Sequence, residues 1–307
     1  KKYLVTGING FVGKHFVDYV KNTESNFDIM GLDLAEVSKL KDIRYKSVNL
    51  CDEENVYNVV AEYRPDYIVH LAAVSSVAKS WDDPRGCFLN NNAAFLNLAD
   101  AIRKLDIKTR ILSVGSSEEY GIYDEPMREN FVLHPKSPYS VARLSQEYLS
   151  KLYVDRFGLD IVMTRSFNHI GPGQSTNFVV SSFISQLVNI ADKKSENKMM
   201  VGNIDVARDF TDVRDVVNAY HKILTKAPNR QVYNVCSGVA TKLRDIIDIA
   251  AKKLNVVPNI VVDKSRLRSN EIMSVVGDNT KIKSELGWKP KYTLEQTISD
   301  IISNQRS

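Results

Sequence analysis

Tyr139 and Arg143 stand four residues apart in Ser137-Pro-Tyr-Ser-Val-Ala-Arg143, a spacing that puts both on one face of a helix, a turn from each other. Pro138 favours a helix start there, because its missing N–H falls among the donors that lack intrahelical partners anyway. A phenol beside a fixed cation is a proton donor and acceptor whose ionised form the cation favours. The same spacing also fits a surface helix with a packed tyrosine and a solvated arginine, and the pair alone does not separate the two. Upstream, Gly115-Ser116-Ser117-Glu118-Glu119-Tyr120-Gly121 places hydroxyls and a carboxylate directly after an apolar run. Ser116, Tyr139 and the Arg143 cation together make a proton-transfer constellation.

A second constellation lies at the start of the chain. A short apolar strand over 3–6 runs into Gly7-Ile-Asn-Gly10-Phe11-Val12-Gly13, and apolar residues then recur with helical spacing at Phe11, Val12, Phe16, Val17 and Val20. A glycine-rich turn between strand and helix lets a pyrophosphate approach the backbone and rest on the helix N-terminus. A strand over 27–32 ends in Asp33, twenty residues beyond Gly13, where a carboxylate accepts from a ribose 2′-OH. A 2′-phosphate is repelled there, so NAD is expected over NADP. The alternative for Asp33 is a turn residue.

These groups need strands and helices to hold them, and the first half alternates βαβ throughout. A third strand over 44–48 leads to Asp52, which is either a contact to an adenine edge or the N-cap of a helix through Tyr63. A buried strand over 66–71 runs out through Leu71, Ala72 and Ala73 to Ser75 and Ser76, small residues at a strand end where open α/β sheets hold ligands. A helix over Pro84–Leu105 carries Asn90, Asn91 and Asn92 in an otherwise apolar pattern. Buried amides need partners, so at least one is expected to tie strand ends together. Strands over 110–114 and 160–164 flank the Tyr139 helix. After Gly171 the alternation becomes irregular. A helix over 177–191 presents an N-terminus suited to an anion. Amphipathic helices over 212–224, 241–254 and 294–303 offer apolar faces.

The chain has 307 residues, 43% hydrophobic and 25% charged, with a net charge of +4. That composition is ordinary for a globular protein. No basic run points to nucleic acid and no apolar run reaches membrane-spanning length. The three cysteines, Cys51, Cys87 and Cys236, lack metal-ligand spacing, so no metal site is expected and buried thiols in a reducing compartment are. A strand at the very start leaves no room for a signal peptide. The expectation is a soluble, cytoplasmic protein.

Gly7-x-x-Gly10-x-x-Gly13, His70-Leu-Ala-Ala73, Ser116 and Tyr139-x-x-x-Arg143 resemble an extended short-chain dehydrogenase/reductase acting on nucleotide sugars. Within that superfamily the chain is similar to the GDP-mannose 4,6-dehydratases and GDP-4-keto-6-deoxymannose reductases. The signals are residues 115–121, Arg165-Ser-Phe-Asn-His-Ile-Gly-Pro-Gly173, Arg208-Asp-Phe-Thr-Asp212 and Tyr233-Asn-Val-Cys-Ser-Gly238.

The resemblance implies an α/β fold, a doubly wound parallel (Rossmann) sheet. Residues 1–170 would bind NAD, and 171–307 would form mainly a smaller substrate-binding lobe, with some segments rejoining the sheet. It implies Ser116, Tyr139, Arg143 and Glu118 as catalytic residues. The cofactor would lie against Gly7, Gly10, Phe11, Val12, Gly13, Asp33, Asp52, Leu71, Ala72, Ala73, Asn91, Tyr139 and Arg143. The sugar nucleotide would lie against Ser75, Ser117, Asn168, Arg208, Arg268 and Glu271, while His70 and His169 would pack behind the site. It implies redox at C4 of a GDP-sugar in surface-polysaccharide biosynthesis, and a homodimer built on one of the amphipathic helix faces. The alternatives are a 4,6-dehydratase or C4 epimerase, or an NAD-binding protein without catalysis. Arg143 replaces the family's usual lysine, and that exchange is not conservative at a tight site.

Overall fold

The computed structural model describes residues 1–267 and 272–307. The first apolar run is strand β1 (Lys2–Thr6), and the glycine turn leads into helix α1 (Phe11–Thr23). Next come β2 (Asp28–Asp33), β3 (Arg44–Ser47), α2 (Glu53–Tyr63), β4 (Tyr67–His70), a short α3 (Val77–Asp82) and the long α4 (Pro84–Leu105). β5 (Arg110–Ser116) runs into a 3₁₀ turn (Ser117–Glu119), and α5 (Pro138–Phe157) leads to β6 (Asp160–Ser166). The second half contains β7 (Asn168–Ile170), α6 (Val179–Ala191), β8 (Met199–Val201), β9 (Ala207–Asp212), α7 (Val213–Lys226) and β10 (Val232–Val235). It closes with β11 (Ala240–Lys242), α8 (Leu243–Leu254), β12 (Ile260–Val262), β13 (Ser274–Val275), α9 (Thr280–Leu286) and α10 (Leu294–Arg306).

Local chemistry sets the main helix starts. The Asp83 carboxylate accepts the Gly86 N–H at 2.8 Å with Pro84 in the first turn, which starts α4. Ser137 and Ser140 cap each other's backbone N–H at the start of α5, and Gly158 ends that helix at φ 70°, a conformation glycine adopts without penalty.

The main sheet has seven strands in the order β10-β6-β5-β4-β1-β2-β3, all parallel. Parallel sheets need cover on both faces. One face packs Phe16, Val17, Tyr220 and Trp288 from the α1, α7 and α9 side. The other packs Val56, Phe95, Leu98 and Ile102 from α2 and α4. The second half interleaves: β10 joins the sheet beside β6, while α6, α8 and α10 build a separate core around Ile184, Ile246 and Ile298.

Two expectations change here. The apolar faces of α7, α8 and α10 are consumed inside the molecule, as Val216, Tyr220, Ile247 and Ile301 show. Cys87 and Cys236 are buried, but Cys51 is exposed, because it sits in the turn before α2 and not in an element.

Asp209, on β9, ties that strand to the turn after β10 and to Gly277. It is fully buried and accepts from Ser237 N–H (2.7 Å) and Oγ (2.6 Å), Gly238 N–H (2.9 Å) and Gly277 N–H (3.2 Å). Burial pushes its carboxyl above the usual range, opposed by these bonds. Removing the acceptor strands several buried donors, so Asp209→Ala is expected to cost about 3–5 kcal/mol in chemical denaturation. Asp209→Asn, which turns an acceptor toward those N–H groups into a donor, is also expected to destabilise. A loss within experimental error for both variants would contradict this.

Candidate active site

Parallel pairing brings the carboxyl ends of four strands to one edge. Thr6 lies level with His70, His70 with Ser113, and Ser116 with Ser166. The glycine turn sits over this edge. Gly7 and Ile8 N–H groups donate to the Leu32 carbonyl at 2.8 and 3.3 Å. Gly7 has φ +67°, and a Cβ there would stand 2.9 Å from the Ala72 backbone; one on Gly13 would stand 2.4 Å from the Ile8 oxygen. The turn is therefore pressed against the end of β4 in a way only glycine allows. Gly10 caps α1 without a side-chain bond, which leaves the first N–H groups available to an anion. Phe11 and Val12, half-buried, form the first turn behind it. Asp33 ends β2 and is fixed by Asn9 N–H (3.0 Å) and Leu34 N–H (2.8 Å). This cradle fits a dinucleotide diphosphate.

Other predicted cofactor residues fall into two groups. Leu71, Ala72 and Ala73 are half-buried at the end of β4, and Ala72 N–H donates to the Thr6 hydroxyl at 3.2 Å. Buried Asn91 reaches back to them by clamping both sides of Val74: its Oδ1 accepts the N–H at 2.8 Å and its Nδ2 donates to the carbonyl at 3.3 Å. Asn92 is also buried, whereas Asn90 is exposed, so the asparagine run is not buried as a whole. Asp52 is the N-cap of α2, with Asn55 N–H and Nδ2 on its two oxygens at 3.0 and 2.7 Å.

The helix α5 is inside out. Its buried residues include Tyr139, Arg143, Gln146, Glu147 and Ser150, while Val141, Tyr148 and Leu152 face solvent. Arg143 Nε donates to the Tyr139 hydroxyl at 3.3 Å, and its Nη1 donates to the Val114 carbonyl and to Gln146 Oε1, both at 2.9 Å. Arg143 is 4% exposed. Behind it, His70 Nδ1 lies 3.0 Å from the Thr6 hydroxyl. Burial, then the Arg143 charge, pushes the His70 imidazole down to about 3. His70 is a neutral wall of the site, as its packed position implies.

Ser116 ends β5 nearby, its hydroxyl accepting Glu118 N–H at 3.2 Å and its N–H donating to Glu119 Oε1 at 2.8 Å. Ser117 is buried and Glu118 is exposed on the 3₁₀ turn. The sequence reading left Glu119 and its partners without a role. Glu119 is fully buried, 3.8 Å from Arg165 Nε, and Arg165 binds Glu147 through two bonds of 2.8 Å. Burial and Glu147 push Glu119 well above the usual carboxyl range. Glu147, against the effect of burial, is held below it by Arg165 and Lys151. No sequence signal marks this group: charged side chains are ordinarily solvated, and these three lie on separate segments.

On the substrate side, Ser75 and Asn168 are exposed, and Arg208 is half-buried with Nη1 donating to the Ala207 and Ile272 carbonyls at 2.8 Å each. Arg268 and Glu271 lie outside the described residues. His70 is expected to remain neutral until the pH nears 3, in long-range ¹H–¹⁵N spectra. A neutral-only fit depresses the folded pKa, so this stability is fully present above pH 6.5 and lost as the pH falls through about 3. An imidazole that charges near pH 6.5 would refute it.

Residues 4–301 match the family model described as GDP-mannose 4,6 dehydratase. The chain is 32% identical to GDP-6-deoxy-D-mannose reductase of Pseudomonas aeruginosa, covering 100% of this chain and 98% of that protein. It is 27% identical to GDP-6-deoxy-D-talose 4-dehydrogenase of Aggregatibacter actinomycetemcomitans, over 99% and 98%. Among solved structures, RMD from Pseudomonas aeruginosa complexed with NADPH superposes with a TM-score of 0.90 at 32% identity, over 99% and 98%. UDP-glucose 4-epimerase of Thermus thermophilus complexed with NAD superposes at 0.88 and 26%, over 100% and 99%.

Proposed function

The chain belongs to the GDP-mannose 4,6-dehydratase family, and from that membership we propose that it is a nicotinamide-dependent oxidoreductase acting at C4 of a GDP-linked sugar, in the making of surface-polysaccharide precursors. The observation that carries this reading is the buried Tyr139–Arg143 pair, delivered by α5 to the strand edge where the glycine turn also sits. A nicotinamide dinucleotide, when bound, supplies the hydride exchange at C4. Gly7, Gly10, Phe11, Val12 and Gly13 hold its diphosphate, and Leu71, Ala72 and Ala73 form the adjoining wall. Asp33 accepts from the adenosine ribose and favours NAD over NADP, while Asp52, exposed, is left beside the adenine and Asn91 braces the wall. Tyr139 exchanges a proton with the C4 oxygen, and Ser116 hydrogen-bonds the same oxygen and orients it. Ser75, Ser117, Asn168, Arg208, Arg268 and Glu271 are proposed to hold the sugar nucleotide, with the open N-terminus of α6 near the phosphates. Glu118, exposed on the turn beside Ser116, would act only if the chain dehydrates its substrate.

Incubation with GDP-mannose and NAD, and separately with a GDP-4-keto-6-deoxymannose and NADH or NADPH, followed by mass spectrometry, tests this. Reduction of the keto sugar, or loss of two hydrogens from the GDP-hexose, supports simple C4 redox with NADH preferred. Loss of the mass of water shows a dehydratase. No reaction with any GDP-sugar removes the proposal.

The outer face of α5 exposes Val141, Tyr148 and Leu152, and Val141 lines one surface hollow with Phe88 of α4. No helix of the described residues is long and apolar enough to cross a membrane. We assign this face to a second copy, giving a homodimer that works in the cytoplasm. Sedimentation is expected to give a dimer that Leu152→Glu converts to monomer. A wild-type monomer at micromolar concentration would sink the assignment.

A further inference from the structure

We propose that Gln146 is a positioning residue that holds Arg143 so that a positive charge without a counter-ion bears directly on the Tyr139 phenol. The inference rests on the C4 redox reading, and deepens it at the position where this chain departs from the usual lysine. Gln146 lies seven residues after Tyr139, so Tyr139, Arg143 and Gln146 share one helix face. The longer arginine would carry its terminal nitrogens past the phenol if nothing drew the head back. Here Nη1 is held by two neutral acceptors, the Val114 carbonyl and Gln146 Oε1, both at 2.9 Å. That leaves Nε as the nitrogen facing the Tyr139 oxygen. Gln146 is itself fixed: its Nε2 donates to Ser113 Oγ at 2.8 Å, and the Ser150 hydroxyl lies 3.1 Å from Ser113 and donates to the Gln146 carbonyl at 2.8 Å.

The neighbours matter as much as the bonds. The groups that feel the Arg143 charge are His70 on β4, Cys87 on α4 and Tyr220 on α7. Burial keeps His70 uncharged, raises the Cys87 thiol and pushes Tyr220 up to about 12. No carboxylate forms an ion pair with Arg143 among the described residues. Arg165, just as buried at 2% exposure, has Glu147 and Glu119. A buried cation without a partner is costly, and a carboxylate at 146 would relieve that cost. A glutamine has the same shape and acceptor without the charge. It keeps the cation's field intact for the phenol.

The test places a charge there without changing the shape. Gln146→Glu, Gln146→Leu and Arg143→Gln are prepared in the full chain with [¹³Cζ]tyrosine, Tyr139→Phe assigning the resonance. Gln146→Glu is expected to move the Tyr139 titration, and the matching limb of the kcat/KM profile, to higher pH. It is expected to lower C4 oxidation at pH 7 on the order of tenfold. Arg143→Gln must move the titration the same way, which covers the case of a poorly folded Gln146→Glu. Gln146→Leu, which adds no charge, is expected to lower kcat while shifting the titration less. Equal titrations in Gln146→Glu and Gln146→Leu, with equal falls in kcat, would reduce Gln146 to packing and overturn the proposal. If no variant or wild type turns over a GDP-sugar, the functional reading fails, and the tyrosine titration still decides this one.

Discussion

Arg143 carries a full charge, has almost no contact with water and forms no ion pair among the described residues, and much of the site is arranged around that constraint. A guanidinium in that state must be held by dipoles. The Val114 carbonyl, at the carboxyl end of β5, supplies one, and Gln146 supplies another. To bring them together α5 has to turn a polar face toward the sheet, which obliges Ser113 and Ser150 to be hydroxyls that satisfy Gln146 in turn. The apolar residues that a surface helix normally hides are then left outside, at Val141, Tyr148 and Leu152. The buried polar face and the outer apolar face of α5 are two consequences of one choice.

Arg165 on β6 shows the opposite arrangement. It is bound bidentately by Glu147 through Nε and Nη2, lies over the Tyr120 ring at 4.8 Å, and approaches Glu119. Its charge is spent on structure. Glu119 in turn accepts the Ser116 N–H, so the neutralised arginine fixes the backbone of the serine while the uncompensated one faces the tyrosine. The difference between the two is the presence of carboxylates, and it separates a neutralised cation from an uncompensated one.

Much of this was legible in the sequence because it follows from local rules. The glycine turn was readable because positive φ and contact at 2.9 Å with Ala72 admit no side chain. The bounds of α4 were readable because Asp83 and Pro84 punctuate its start. Asn91 was readable because an amide in an apolar helix has to find partners, and it finds both sides of Val74. What periodicity could not say is which neighbour an apolar face meets. The faces of α7, α8 and α10 meet their own core, while the inside-out α5 hides its outer apolar stripe from any simple reading of amphipathicity. Cys51 could not be placed because a turn residue has no periodicity at all. The Glu119–Arg165–Glu147 group joins three separate segments, and only the folded chain brings them together.

The site also depends on a long-range connection that no single element supplies. Tyr120 follows Glu119 directly, and its hydroxyl donates to Asn234 Oδ1 at 2.7 Å. Asn234, on β10, donates onward to the Met127 carbonyl at 2.8 Å and the Asp278 carbonyl at 3.2 Å. One residue before Asp278, Gly277 donates to Asp209, the neighbour of Arg208 on β9. A continuous set of buried and half-buried bonds thus runs from the end of β5 to the strand that carries Arg208. Burial makes each link costly to break. A shift of the lobe relative to Ser116 would have to break several at once, so the distance between the carboxyl edge of the sheet and the lobe is set by the fold.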